Sequence, residues 1–229
     1  MGQWVTVTAS DGHELDAYVA TPEGAPVGGL VVVQEIFGVN EQIRAVVDAY
    51  AKDGFLTVAP AIFDRYEKKI ELGYEGDDLK KAFELYQKLD VKTALLDVAA
   101  AFEKAKELSG KGVGVTGFCY GGLMSWLSAT RGEEQKMKPD CTVGYYAGGV
   151  GNVAKEEPAC PVMLHFGGAD SHIGEDQINA VREAHPEVVI HVYEGGQHGF
   201  ANYGRKEYKP DAAALARERT VEFLKANIA

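Results

Sequence analysis

The sequence predicts an α/β protein with a mostly parallel central sheet and helices on both faces. Runs typical of strands alternate with runs typical of amphipathic helices along the chain, which is the pattern of β-α-β units. Several strand runs are continuously apolar, and this favours strands buried on both faces. No linker, repeat or low-complexity segment divides the 229 residues, so we expect one domain over 1–229.

The first predicted elements are a hairpin, a buried strand and a capped helix. Two runs with period-two alternation, QWVTVTA and HELDAYVAT, flank Asp11-Gly12 and predict the hairpin. The apolar run GGLVVVQE predicts a strand covered on both sides. Asn40 is suited to cap a helix that runs to about Lys52, with Gly54 as its stop. The run FLTVAP predicts the next buried strand.

The alternation continues to the end of the chain. Residues 61–77 are rich in charge, tyrosine and glycine and predict a surface excursion. Two helices follow, LKKAFELYQKL and VKTALLDVAAAFEKAKEL, both with apolar residues at i, i+3 and i+4. The later predictions are, in order, the strand KGVGVTGF, the helix GGLMSWLSAT, the strands CTVGYYAG and PVMLHFGG, a helix near 174–185, the strand VVIHVYEG and a helix near 211–227.

Composition narrows the classes of partner and the cellular setting. The net charge of −11 argues against nucleic acid and anionic membranes as partners. The three cysteines, Cys119, Cys141 and Cys160, are odd in number and lack metal-type spacing, which favours a reducing compartment over a disulfide framework. We see no signal-peptide pattern and no run of the ~20 apolar residues that a membrane span needs. We therefore expect a cytoplasmic protein without membrane contact. We also expect a monomer, although the sequence leaves an oligomer open.

A lone cysteine stands at a glycine-framed corner between a strand and a helix. Gly117-Phe118-Cys119-Tyr120-Gly121 has the spacing G-x-C-x-G, which is the nucleophile-elbow spacing G-x-S-x-G with sulfur in place of oxygen. Glycines allow a strained turn and close packing of helix on strand. The helix N-terminus after the corner offers backbone N–H groups to a thiolate or an oxyanion.

Four reactive side chains follow strand runs, and ligands of open parallel sheets bind at the carboxyl ends of the strands. They are Glu35, Cys119, Asp170 and His198. The last three have the chain order nucleophile, acid, base found in α/β triads. An imidazole can take the thiol proton, and a buried carboxylate can orient the ring. We therefore expect these side chains to meet at one edge of the sheet.

Each of these residues also has a structural interpretation. A lone cysteine after a strand is commonly a small core residue. Asp170 is suited to cap the following helix, and Glu35 to form a salt bridge or to start a helix. His198 in GGQHGF fits a surface loop as well. The coincidence of all four at strand ends is what favours a catalytic site.

The other histidines and the glycine motifs point to no cofactor. His165 lies in an apolar strand run and is predicted to be a hydrogen-bonded core residue. His172 follows the acid closely and could touch the site, whereas His13, His185 and His191 are predicted at the surface. No group of histidines, cysteines and carboxylates has metal-ligand spacing, and both phosphate-loop and dinucleotide motifs are absent, so we expect neither metal nor cofactor.

The chain resembles the dienelactone hydrolases (carboxymethylenebutenolidases) of the α/β-hydrolase superfamily. The resemblance runs from about residue 30 to the C-terminus and rests on VVVQEIFGVN, GVTGFCYGG, PVMLHFGGAD, HVYEGGQHGFAN and AAALARERTVEFL. It implies the α/β-hydrolase fold, with Cys119 as nucleophile, His198 as base and Asp170 as its orienting acid. It also implies that Glu35 contacts the resting thiol.

The same resemblance implies an oxyanion hole and a substrate pocket. The backbone N–H groups of Ile36 and Tyr120 would form the oxyanion hole. Where the family carries an arginine four residues after the histidine, this chain has Asn202, and near the second arginine position it has Lys80 and Lys81. Arg205 lies close in sequence. These four residues are candidate substrate-binding residues, and Phe37, Tyr86, Tyr120, Tyr145 and Phe200 are candidates for pocket walls, although each aromatic residue is equally suited to the core.

The sequence thus predicts a cysteine-dependent hydrolase of a small ester or lactone that works through a thioester acyl-enzyme. The alternative is a protein that keeps the fold and captures or senses a small electrophile without turnover. A redox-responsive thiol at Cys119 is a third interpretation, and the lack of a C-x-x-C partner disfavours it.

Overall fold

One eight-stranded sheet forms the centre of the structure. The computed structural model describes residues 2–228. The strand order across the sheet is β1-β2-β4-β3-β5-β6-β7-β8. The strands are β1 (Gln3–Thr8), β2 (Glu14–Ala20), β3 (Gly28–Val33), β4 (Phe55–Pro60), β5 (Val113–Phe118), β6 (Thr142–Tyr145), β7 (Val162–Gly167) and β8 (Val189–Tyr193).

The sheet is parallel except where β2 joins it. β2 pairs antiparallel with both β1 and β4, whereas β4, β3, β5, β6, β7 and β8 pair in parallel. Every residue of β3, β4, β5, β6 and β7 is buried. Because neighbouring side chains in a strand point to opposite faces, both faces of the sheet must be covered. The predicted α/β architecture with a mostly parallel sheet is confirmed.

Helices connect the parallel strands and begin and end at residues suited to those positions. Asn40 accepts a hydrogen bond from the Ile43 N–H and caps α1, as predicted, while Asp90 caps α3 in the same way. α3 ends at Gly110 with φ 64°, the left-handed conformation that glycine favours. The helices are α1 (Glu41–Lys52), α2 (Gly76–Tyr86), α3 (Val91–Ser109), α4 (Tyr120–Arg131), α5 (Glu175–Ala184) and α6 (Pro210–Asn227). None of these described helices is long and apolar enough to span a bilayer.

The predicted surface excursion at 61–77 is partly wrong. A short 3₁₀ helix, Ile62–Arg65, buries Ile62, Phe63 and Asp64. Asp64 is buried because its carboxylate accepts the Asp16 N–H at 2.9 Å and so ties the segment to β2. The first residues of this charge-rich segment are therefore buried and hydrogen-bonded to the sheet rather than exposed.

His185 is a second correction, since it is buried rather than at the surface. The ring lies 5.6 Å from that of Trp126 and its Nδ1 lies 3.2 Å from Glu187. It is the C-cap residue of α5, and its N–H donates to the Val181 carbonyl. The prediction for His165 is confirmed, because this core residue bonds through both ring nitrogens, to Tyr193 and Thr220.

Candidate active site

The corner that carries Cys119 is a strained turn between β5 and α4. Cys119 has φ 55° and ψ −114°, a conformation that residues other than glycine seldom adopt. A Cβ on Gly117 would lie 2.1 Å from the Gly121 carbonyl oxygen, and one on Gly121 would lie 2.2 Å from that of Val33. The Cys119 N–H donates to the Tyr145 carbonyl at 3.0 Å. The two glycines thus permit the close approach that holds the thiol at the end of β5.

Cys119, His198 and Asp170 form a hydrogen-bonded series at the carboxyl edge of the sheet. His198 Nε2 lies 3.1 Å from Cys119 Sγ, and His198 Nδ1 lies 2.9 Å from Asp170 Oδ2. The other carboxylate oxygen of Asp170 accepts the N–H groups of His172 and Ile173 at 2.8 and 3.3 Å. This side chain therefore caps the local turn and orients the imidazole at the same time.

The charges of this series stabilise one another. Burial disfavours the charged ring of His198, but hydrogen bonds to Asp170 and Cys119 outweigh it and raise the pKa of His198 from 6.5 to about 10. Burial alone would raise the pKa of Asp170, whereas the hydrogen bond to His198 and the charge of that ring lower it below 3.8. A carboxylate beside an imidazolium is thus the favoured state at neutral pH.

Glu35 is buried at the end of β3 without a hydrogen bond to Cys119. Its exposed fraction is 2%. Oε1 accepts the Tyr146 hydroxyl at 3.0 Å and Oε2 accepts the Asn202 amide at 3.0 Å. Glu35 therefore makes these two hydrogen bonds in place of the expected contact with the thiol. Within residues 2–228, the thiol is hydrogen-bonded to His198.

Tyr146 is a residue of this site that the sequence analysis missed. It follows β6 directly and has φ 36°, so its side chain turns into the edge where the other strand ends meet. Its ring lies 5.1 Å from that of His198 and 5.6 Å from that of Phe200. Tyr146 lies inside the predicted strand run CTVGYYAG, so the search for polar side chains after strand runs did not select it.

The two backbone donors predicted for the oxyanion hole are the N–H of Ile36, which follows β3, and the N–H of Tyr120, which begins α4. In the described part of the chain, no protein acceptor is bound by the N–H of Ile36 or of Tyr120. Gln34 fixes the peptide between Glu35 and Ile36, because its Nε2 donates to the Glu35 carbonyl at 3.1 Å. Its Oε1 accepts the Ile62 N–H at 3.2 Å. Gln34 was also missed, since its role depends on a contact with a distant segment.

The candidate substrate-binding residues separate into two groups. Arg205 lies by the site, where its guanidinium is 6.0 Å from the centre of the Phe37 ring. Burial lowers the pKa of Arg205, but the nearby carboxylates of Glu35 and Glu207 raise it overall. Tyr86 is half exposed and packs edge-on against Tyr120 at 5.9 Å.

The remaining candidate residues lie at the surface, in the core or against Glu35. Lys80 and Lys81 form surface ion pairs with Asp77 and Glu67. Tyr145 and Phe200 are core residues: the Tyr145 hydroxyl bonds to Thr220 at 2.6 Å, and Phe200 packs against Tyr146 and Tyr193. Asn202 is buried and holds Glu35. An aromatic residue after a strand cannot be assigned to core or pocket without the local backbone direction.

Folding brings together one group of metal-ligand atoms that sequence spacing did not predict. Ligand atoms of Asp170, His172 and His198 lie within 4.8 Å of one another. Asp170 and His198 are already bonded to each other, and the side chain of His172 is 66% exposed. The His172 ring lies 4.9 Å from that of His198. His172 therefore touches the site from its solvent side.

The sheet order and the cysteine elbow place the chain among the α/β-hydrolases. This class sets its nucleophile on a strained turn between strand and helix, followed in sequence by the acid and the histidine. Within the class, the chain belongs to the Dienelactone hydrolase family, whose sequence profile matches residues 15–228.

Individual relatives agree with this assignment. A carboxymethylenebutenolidase from Pseudomonas putida is 32% identical over 228 residues, which cover 96% of this chain and 94% of that protein. A crystal structure of a Klebsiella pneumoniae protein assigned to the dienelactone hydrolases has a TM-score of 0.82 and 27% identity, and the match covers 97% of this chain and 98% of that one. The chain is a hydrolase that acts on ester or lactone bonds, as predicted.

A more distant structure shares the fold alone. A dienelactone hydrolase-like promiscuous phosphotriesterase from metagenomic libraries has a TM-score of 0.77 at 18% identity, and the match covers 100% of this chain and 99% of that one.

Proposed function

We propose that the protein hydrolyses a small-molecule ester or lactone through a thioester between the acyl group and Cys119. The observation that carries this proposal is the 3.1 Å contact between Cys119 Sγ and His198 Nε2. A thiol becomes a strong nucleophile only as the thiolate, so it needs a base within hydrogen-bond reach. Asp170 supports this role because it accepts a hydrogen bond from the opposite ring nitrogen of His198.

Acylation starts from the pair in which the Cys119 proton has already passed to His198 Nε2, so that a thiolate lies beside a charged imidazole. The thiolate then attacks the carbonyl carbon, and the carbonyl oxygen becomes an oxyanion. The N–H groups of Ile36 and Tyr120, which bind no described protein acceptor, are suited to stabilise this oxyanion. The carbon–oxygen bond to the leaving alcohol breaks, and the proton on His198 moves to the departing oxygen. In a lactone the alcohol stays attached to the acyl group.

Deacylation uses the same groups in reverse. His198 takes a proton from water, and the resulting hydroxide attacks the thioester carbonyl carbon. The carbon–sulfur bond breaks, the carboxylic acid leaves and releases its proton to solvent, and the thiolate returns beside the charged imidazole. Asp170 stabilises that imidazolium in both half-reactions.

Turnover of an aryl acetate tests the proposal. We expect product to exceed one equivalent per chain, and we expect a quenched reaction to contain an acetyl group on the peptide that carries Cys119, detected by mass spectrometry. Product that stops at one equivalent would favour capture without turnover. Acetylation of another residue in place of Cys119 would contradict the thioester route.

Gln34 provides a test of the oxyanion hole. Gln34→Leu removes the hydrogen bond to the Glu35 carbonyl, so the peptide that carries the Ile36 N–H loses its restraint. We expect kcat for aryl acetate hydrolysis to fall about tenfold with little change in KM, because the interaction strengthens in the transition state. Steady-state kinetics check this, with Gln135→Leu at the end of the 3₁₀ helix Gly132–Gln135 as control. A change in KM alone would argue that Gln34 acts on substrate binding instead.

The burial and position of Arg205 favour a substrate that carries a negative charge near the reacting ester. Its guanidinium is mostly buried, and its described ion pair with Glu207 is 3.4 Å long. Lys80 and Lys81 are already paired at the surface. Arg205 is therefore the better candidate to bind a substrate carboxylate, which it can do through two parallel N–H bonds.

We expect Arg205→Gln to discriminate between charged and neutral esters. KM for a para-nitrophenyl hemisuccinate should rise about tenfold, since a charge-assisted hydrogen bond is lost. KM for the neutral para-nitrophenyl butyrate should change little. Lys206→Gln, which alters the exposed neighbour of Arg205, is the matched control for net charge. Equal effects on both esters would show that Arg205 acts on the structure of the site rather than on substrate charge.

A further inference from the structure

A cavity of about 240 Å³ lies between α1 and α6, with the segment after β8 as its third side. No member of the proposed triad lines it. Four alanines leave the space open: Ala45 and Ala49 on α1, and Ala213 and Ala214 on α6. At about 30 Å³ per water, the volume would hold about eight water molecules. This space is large enough for a molecule with one ring.

Aromatic side chains form most of the remaining surface. The lining includes the buried rings of Tyr50, Phe118 and Tyr145 and the more exposed rings of Tyr203 and Tyr208. Ligand pockets are typically apolar and aromatic with a few polar groups that fix orientation. The lining therefore favours a flat apolar molecule.

One of the polar groups in the lining is an unsatisfied amide. Gln42 is 6% exposed, and its Oε1 is buried without a hydrogen-bond partner among the described residues. A buried acceptor without a partner is costly and calls for an explanation. This oxygen is closed to a water-sized molecule, so the amide must turn towards the cavity before a hydroxyl donor on a bound molecule can satisfy it.

The second polar group is the guanidinium of Arg217. It lies 4.2 Å from the centre of the Tyr50 ring and donates through one amino group to Asp53. Its other N–H groups donate to no side chain or backbone acceptor in residues 2–228. An arginine with free donors beside an aromatic surface is suited to bind a carboxylate.

We propose that this cavity is a second binding site, and that its ligand is a one-ring aromatic carboxylic acid that bears a hydroxyl donor. The carboxylate pairs with Arg217, and the ring lies among the tyrosines. The hydroxyl donates to Gln42 Oε1 once that amide has turned towards the cavity. The proposal does not depend on the thioester route, because none of its contacts involves the triad.

Calorimetric titration of the full chain with para-hydroxybenzoate tests the proposal. We expect saturable binding of one molecule per chain. The neutral analogue para-hydroxybenzamide tests the contribution of the charge, and benzoate tests the contribution of the donor. Each should bind about tenfold more weakly, because each loses one hydrogen-bonded group. No binding of para-hydroxybenzoate at millimolar concentration would overturn the proposal.

Two variants locate the bound molecule. Ala49→Phe fills the cavity and should abolish binding, whereas Ala180→Phe on α5 is a matched control that should bind normally. Arg217→Gln should weaken the acid about tenfold and leave the amide unchanged, so that the two bind alike. Equal weakening of both would mean that Arg217 only maintains the fold there, and would overturn its role as the carboxylate ligand.

Arg205→Gln separates this cavity from the active site. We expect it to bind para-hydroxybenzoate as the unaltered chain does. Binding that is lost in Arg205→Gln and retained in Arg217→Gln would place the acid at the active site and overturn the proposal. Melting temperatures confirm that each variant is folded, and the Arg217→Gln test remains valid if Ala49→Phe does not fold.

Discussion

Replacing Cys119 by alanine is expected to lower kcat/KM for aryl acetates by at least about 10³-fold, since removal of a triad member leaves only the catalysis that the oxyanion hole and binding supply. Alanine has no nucleophile, so no thioester forms and His198 has no thiol to deprotonate. The fold should remain intact, because Cys119 is only partly buried. Initial rates and thermal unfolding of the purified variant measure both expectations.

The other two cysteines provide matched controls. Burial raises the pKa of Cys160 to about 12, and burial also raises that of Cys141. Neither thiol is therefore a nucleophile at neutral pH. Cys160→Ala should retain nearly full activity. Full activity in Cys119→Ala, or its loss in Cys160→Ala, would refute Cys119 as nucleophile.

Asp170→Asn is expected to lower kcat by about 10⁴-fold, the size of effect seen when a triad aspartate becomes an amide. The carboxylate accepts three hydrogen bonds, one from His198 and two from the backbone N–H groups of His172 and Ile173. An amide has only one acceptor oxygen. If that oxygen serves the backbone, the amide nitrogen faces His198 Nδ1 and favours the wrong tautomer. Steady-state kinetics with an aryl acetate measure the loss.

The same variant should change the pH dependence of stability. The lowered pKa of Asp170 stabilises the fold above its ordinary value of 3.8, and this contribution is lost as the pH falls. The raised pKa of His198 stabilises the fold below its ordinary value of 6.5, and this contribution is lost as the pH rises towards about 10. The difference in unfolding free energy between the two proteins should therefore be largest between these ordinary values. A constant difference from acid to alkaline pH would mean that the pair is not charged.

Much of the fold could be predicted from the sequence because its signals are local. Continuous apolar runs predicted the strands that are buried on both faces, and Asn40 predicted the start of α1. The juxtaposition of Cys119, Asp170 and His198 also followed from local signals. Parallel strands share one carboxyl edge, so a residue that follows a strand is placed by the topology.

The residue predictions that differ from the structure depend on contacts between segments far apart in the sequence. Asn202 was assigned to the substrate, but its partner is Glu35, a residue far away in sequence. Gln34 was missed because it bonds to Ile62, which lies in a segment predicted to be at the surface. Tyr146 was missed in favour of Tyr145, because a single positive φ decides which of two adjacent rings faces the site.

The backbone of Cys119 has a consequence for the evolution and engineering of this protein. A side chain at φ 55° and ψ −114° costs about 1–3 kcal/mol relative to a relaxed residue. Glycine would adopt that turn without the penalty. Selection for heat resistance alone would thus tend to remove the sulfur, and only selection for turnover retains it. A screen for robust variants of this chain should include an activity readout from its first round.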